Sequence, residues 1–142
     1  MTDKEKFAGL KEMQIAENEA QYGVELRETF GSESIEAANA RFMGMSEESY
    51  ASAGELEKKI KEILKQALAQ GDVKGALSAE VFALHKQWIS MYWDKYHPEA
   101  HMGLADMYVG DPRFTKYYDE IAAGAAAFLR DVIYAHCEKS EI

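Results

Sequence analysis

The sequence predicts an all-α fold, a single bundle of about six or seven helices spanning residues 1–142. Apolar residues recur at steps of three and four along most of the chain, and no long Val/Ile/Thr alternation marks a strand. Stop and start signals (Gly31, Gly44, Gly71, Asp111-Pro112) fall at helix-length intervals. The composition, 47% hydrophobic and 29% charged, is that of a folded globular chain, and 142 residues close a core without metal or disulfide staples. No internal repeat, low-complexity tract or inter-domain linker divides it.

The first helix follows Thr2-Asp3-Lys4-Glu5, a capping box with Thr2 as N-cap and Glu5 three residues on. Phe7, Leu10, Met13 (or Ile15), Tyr22, Val24 and Leu26 are expected to face inward. The middle of this arm (Glu12, Gln14, Glu17, Asn18, Glu19, Gln21) offers little to bury, and Gly23 weakens it by about 1 kcal/mol relative to Ala. Residues 1–31 are therefore expected to be the least firmly held part of the domain. Gly31 reads as the stop and Ser32 as the next N-cap.

A short helix from about Glu33 to Met43 carries Ile35, Ala38 and Phe42 on one face. Ser46-Glu47-Glu48 opens the longest regular helix, with acids in the first turn where the dipole favours them. Tyr50, Ala53, Leu56, Ile60, Ile63 and Ala67 form its apolar stripe. The opposite run of Glu and Lys reads as a solvated face, since two or three heptads are too few for a coiled-coil seam. After Gly71 the central helix runs through Phe82, Trp88 and Trp93 and stops near Pro98. Apolar on nearly every side, it belongs in the middle of the bundle. Tyr96 and His97 form the corner before proline. A segment from His101 to Val109 leads to Asp111-Pro112, a capping carboxylate with proline at the first helical position, and to Phe114, Tyr117 and Tyr118. The last helix, from about Ile121 to Glu138, buries Ala125, Phe128, Leu129, Val132 and Ile133.

A net charge of −9 repels a phosphate backbone, so no direct nucleic-acid binding by this chain is expected. No apolar run approaches the roughly 20 residues that span a bilayer, and no signal peptide is visible. The single Cys137 makes no internal disulfide. These features predict a soluble, cytoplasmic domain away from membranes.

Candidate chemistry is sparse. His97 and His101 are four apart, but Pro98 puts His97 at or outside the helix start, and no HExxH or nearby cysteine supports a metal. His136 and Cys137, adjacent on a helix, do not face each other as a nucleophile and base would. Isolated histidines on an all-α chain raise the question of haem, which nothing else in the sequence requires. No catalytic residue, metal ligand or cofactor is assigned. What stands out is the density of rings and thioethers between His85 and Asp119. Trp88, Tyr92, Trp93, Tyr96, Met102, Tyr108 and Phe114 either interlock as core or wall a pocket for a flat heteroaromatic ligand. His101 would supply a polar contact.

The blocks His85-Lys86-Gln87-Trp88-Ile89, His101-Met102-Gly103-Leu104, Met107-Tyr108-Val109, Asp111-Pro112-Arg113-Phe114 and Phe128-Leu129-Arg130-Asp131 resemble the TipAS-type antibiotic-recognition domain. That domain is the effector-binding half of a branch of MerR-family transcriptional regulators, and the likeness runs from about Phe7 to Ile133. The resemblance implies a globin-like bundle without haem and without enzymatic turnover. It also implies a cleft for thiopeptides or other bulky heteroaromatic drugs, and an N-terminal part loosely ordered without ligand. DNA binding and dimerisation would lie in an N-terminal winged helix-turn-helix and a coiled coil, both absent from this chain. Thiopeptide-capturing members carry a cysteine a few residues before the His-x-Gly-Leu block. Tyr96 fills that place here, and a phenol with pKa about 10 is a poor nucleophile at neutral pH. Reversible binding, as sensor or drug sponge, is the expectation. A helical protein-interaction or dimerisation module without a small ligand is the alternative.

Overall fold

The computed structural model describes residues 2–93 and 95–140, the last three by their backbone. The described residues form seven helices and no strand: α1 (Asp3–Phe30), α2 (Ser32–Met43), α3 (Glu47–Gln70), α4 (Ala76–Ser90), α5 (Pro98–Gly110), α6 (Pro112–Asp119) and α7 (Ala125–Ser140). The chain is an all-α bundle. None of these helices is long and apolar enough to cross a membrane.

Local side-chain chemistry starts several of them. The Glu5 N–H donates to Thr2 Oγ1 at 3.1 Å, and the Ser49 N–H donates to Ser46 Oγ at 3.0 Å. Asp111 caps α6 by accepting from the Arg113 N–H at 3.0 Å, with Pro112 behind it. Helix α3 ends on Gly71 in the left-handed region (φ 73°), where a side chain would be strained.

Three boundaries differ from the sequence expectation, while α1 runs through Gly23 to Gly31 as expected. Gly31, not Ser32, is the residue flanking α2, and Ser32 is already helical. Helix α1 runs unbroken through Gly23, which is buried. An added Cβ there would meet Glu19 Oε2 at 2.8 Å, because the Glu19 carboxylate folds across it to reach Arg27 and Asn39. Helix α4 stops at Ser90 rather than near Pro98. Its end tightens through 3₁₀-type bonds (Met91 N–H to the Trp88 carbonyl, Tyr92 N–H to that of Ile89), which redirects Tyr92 and Trp93 toward Phe42 and Phe30. Helix α7 begins at Ala125, not Ile121, after Gly124 at φ 85°. The Asp119 carboxylate, seven residues back, accepts from the Ala126 N–H at 3.0 Å.

The core lies where α3, α4, α5 and α7 meet. Leu64, Ala67, Val81, Ile89, Ala105, Leu129, Val132 and Ile133 are buried there. Helix α4 packs between α3 and α7, and α5 lies along α7 with small residues at the crossing (Ala105, Ala125, Ala126). Helices α1 and α2 form a hairpin laid over this core, and α1 packs mainly on α2. Its inward stripe is Phe7, Lys11, Ile15, Tyr22 and Leu26, with the exposed Asn18 on the same face at the mouth of the cavities. Leu10, Met13 and Val24, expected inside, are 42%, 59% and 67% exposed. Lys11 is buried because its ammonium donates to the Met43 and Met45 carbonyls at the end of α2.

Candidate ligand-binding site

Because the hairpin rests on the core without filling the gap, two adjoining cavities remain beneath α1. The larger, about 580 Å³, lies between the hairpin and the α4–α5 corner. Ile15, Leu26, Phe30, Ile35 and Phe42 wall it from the hairpin side. Trp88, Ile89, Tyr92, Trp93, Leu104, Tyr108 and Phe114 wall it from the core side. A few polar groups (Asn18, Asn39, Lys95, His97) punctuate an otherwise apolar surface, the usual make-up of a drug-sized pocket. The smaller chamber, about 330 Å³, opens between α1, α3 and α6. Asn18, Trp88, Tyr108 and Phe114 border both, so the chambers share one wall.

Of the residues singled out from sequence, Trp88, Tyr92, Trp93, Tyr108 and Phe114 line the larger cavity. The rings are mutually packed: Trp88 meets Tyr92 edge-on at 5.4 Å, and Tyr108 meets Phe114 at 5.5 Å. Tyr96, His101 and Met102 line neither chamber. Tyr96 and Met102 are half-buried against the core, and His101, expected to offer a ligand a polar contact, is 0% exposed.

His101 is the midpoint of a buried hydrogen-bonded chain. Tyr108 Oη is 3.1 Å from His85 Nε2, His85 Nδ1 is 2.8 Å from His101 Nε2, and His101 Nδ1 is 2.8 Å from Tyr96 Oη. Cys137 Sγ on α7 closes it, 3.5 Å from Tyr96 Oη. Burial, and secondarily its partner's charge, lowers His85 to about 3; burial and then the Lys86 charge lower His101 to about 4. Both rings are therefore neutral at pH 7, and the single N–H between them fixes one tautomer in terms of the other. Burial also raises the Tyr96 phenol, assisted by its bond to Cys137, so the group at the family's cysteine position stays protonated. His97 is the exposed residue flanking α5 and does not share a face with His101. Among the described residues no cluster of three or more His, Cys, Asp or Glu could hold a metal ion.

Sequence reasoning missed the hairpin side and the smaller chamber. Gln14, Asn18 and Gln21 recur at steps of four and three, and that polar stripe, read as a reason for looseness, carries the groups that overhang the cavities. Tyr22 stacks on Phe114 with centroids 4.0 Å apart and planes 17° apart. Arg113 also lies over the Tyr22 ring, 5.0 Å from its centroid, and pairs with Glu25 and Asp111 at 2.6 Å each. At the shared wall the buried Trp88 indole N–H has no partner in hydrogen-bond geometry among the described residues. Tyr92 beside it is pushed up to about 12 by burial and by the Glu57 charge, against a smaller opposing pull from that indole.

A family model of the TipAS antibiotic-recognition domain matches residues 22–136. The chain is 26% identical over 145 residues to the HTH-type transcriptional activator mta of Bacillus subtilis, covering 99% of this chain and 54% of that protein. It is 29% identical over 140 residues to the HTH-type transcriptional regulator SkgA of Caulobacter vibrioides, covering 95% and 53%. The chain thus spans about half the length of these curated relatives. No solved structure matches it significantly. The matched stretch contains α2 to α6 and every residue lining the larger cavity except Gln14, Ile15 and Asn18, and on that match the chain belongs to the TipAS antibiotic-recognition domain family, the effector-binding domain of MerR-type transcriptional regulators.

Proposed function

We propose that this domain reversibly binds bulky, apolar or heteroaromatic antibiotics and drugs, as the sensing part of a transcriptional activator or as a drug-sequestering form. The observation that carries the reading is the larger cavity, an aromatic groove of drug-sized volume left open between the core and a lightly packed hairpin. A guest there gains the stacking faces of Trp88, Trp93 and Phe114. The hairpin is the element a ligand would order. Its ordering is the differential interaction through which binding is relayed to a DNA-binding region outside this domain.

Quenching of Trp88 and Trp93 fluorescence during titration with a thiopeptide and a panel of neutral aromatic drugs tests the proposal. A saturable response to at least one class is expected. Silence across the panel, with both tryptophans on the groove, overturns it.

The exposed Leu10, Met13 and Val24 on the outer face of α1 favour a second reading, a helical protein-interaction or dimerisation surface. Light scattering that finds a tight dimer indifferent to every compound would favour it over ligand binding.

A further inference from the structure

The smaller chamber differs from the larger in one respect that bears on what it would hold. Its wall contains a single carboxylate, Glu57, on the face of α3 that also carries Ile60 and Lys61. The side chain is half-buried, and among the described residues no hydrogen bond or ion pair engages it. Its natural counterion, Lys61 one turn on, has its ammonium over the ring of Tyr117, 4.6 Å from the centroid. With the carboxylate on this wall stand the rings of Trp88, Tyr108 and Phe114, and those of Tyr22 and Tyr117, which already hold the Arg113 and Lys61 cations. His85, the one histidine on the wall, is neutral.

An uncommitted anion that shares a wall with π-faces is a recognition surface for an organic cation. The ring quadrupoles attract positive charge, and the carboxylate completes the pairing in a partly desolvated space where Coulomb attraction is stronger than in water. Burial already holds the Glu57 carboxyl above its usual range, opposed by Lys61, so the charged form lacks solvation that a cation would supply. An approaching cation is also favoured by the chain's net charge of −9.

We propose that the smaller chamber takes the cationic end of an aromatic ligand whose body fills the larger cavity, with Glu57 as the charge-selecting residue. The Trp88, Tyr108 and Phe114 wall common to both chambers is where the two parts of such a ligand would join. This inference rests on the drug-binding reading above and narrows it to a ligand class.

Three flat tricycles of nearly the same shape test it by calorimetry at pH 7.5: N-methylacridinium (a fixed cation), acridine (neutral) and acridine-9-carboxylate (anionic). The cation is expected to bind about tenfold tighter than acridine, and the carboxylate more weakly than either. Glu57→Gln should erase the preference while leaving the acridine affinity unchanged, which also reports that the variant is folded. Lys61→Gln should strengthen cation binding. Equal affinity for the cation and acridine, or a preference that survives Glu57→Gln, overturns the inference and leaves the drug-binding reading standing. Failure of all three tricycles and of the neutral drug panel overturns both.

Discussion

His85 and His101, on different helices, share one proton across 2.8 Å in a place with no access to water. Neither ring has room to charge. A proton added to either would put a cation in the core, beside a neighbour that already donates or accepts in a fixed direction. The pair therefore links the pocket wall, through Tyr108, to α7, through Tyr96 and Cys137, only while both rings are neutral.

Stability should fall as pH drops below about 6.5. Both histidines are lowered in the folded state (to about 3 and about 4), so between those values and the unfolded value the unfolded chain binds more protons. Stability is then complete above the unfolded pKa and declines toward acid, by up to about 1.4 kcal/mol per pH unit for each histidine. Glu57, raised by burial, acts in the opposite sense near its own titration, while Glu19 and Asp111, lowered by their arginine partners and neighbouring hydrogen bonds, add to the loss only at lower pH. Urea melts between pH 5 and pH 7 isolate the histidines. His101→Gln should lower stability at pH 7 and flatten the slope; an unchanged slope would show that the pair is not its source.

Helix α1 should be the first element to open. Its attachment beyond α2 is a short set of contacts: the Tyr22–Phe114 stack, the Glu25–Arg113 pair, and Tyr50 of α3, which meets Phe7 edge-on and accepts from the Gln14 amide. The stack is worth about 0.5–1.5 kcal/mol, and the half-exposed ion pair less. Amide exchange is expected to be fastest in residues 3–30 and slowest in α4 and α7, with a bound ligand slowing α1 selectively. Tyr22→Ala should speed exchange in α1 further while leaving α7 unchanged. Uniform exchange across the chain would contradict the arrangement.

Helix starts were legible from sequence because a cap is a three-residue device. Thr2, Ser46 and Asp111 need only the N–H groups beside them. The end of α4 was not, since Tyr92 and Trp93 leave the helix to meet Phe42 and Phe30, some fifty to sixty residues earlier in the chain. The same limit applied to the site. The crowding of rings between Trp88 and Phe114 is a local signal, and those rings stand on the groove. The hairpin wall was hidden because Lys11 and Asn18 interrupt the apolar stripe of α1, and their reasons, two α2 carbonyls and a cavity, are visible only in three dimensions. Glu57 sat in a charge run read as solvated surface, yet it is half-buried on the wall of the smaller chamber.

Trp93→Ala separates wall from core. The indole is half-buried, packed on Phe30 at 6.0 Å and near Tyr96 at 6.5 Å, and it borders the groove. Truncation should therefore destabilise by about 1–2 kcal/mol, less than the 3–5 kcal/mol of a fully packed tryptophan. Ligand affinity should drop about tenfold or more. Thermal melts with and without a bound drug measure both effects on one sample. A full core penalty with unchanged affinity would return Trp93 to the interior.

Binding should leave no covalent trace. Where the family resemblance implies a capturing cysteine stands Tyr96, whose phenol is kept protonated by burial and whose oxygen is already engaged by His101 and Cys137. The sole thiol, Cys137, is 0% exposed and packed behind that phenol, away from both chambers. A dehydroamino acid in the groove therefore finds no accessible thiolate to add to it. Intact-mass spectrometry after prolonged incubation with a thiopeptide should return the unmodified chain, and a thiol reagent should label Cys137 only after denaturation. An adduct in the native protein would require the bundle to open at α7, and its site of attachment would identify which contact had failed.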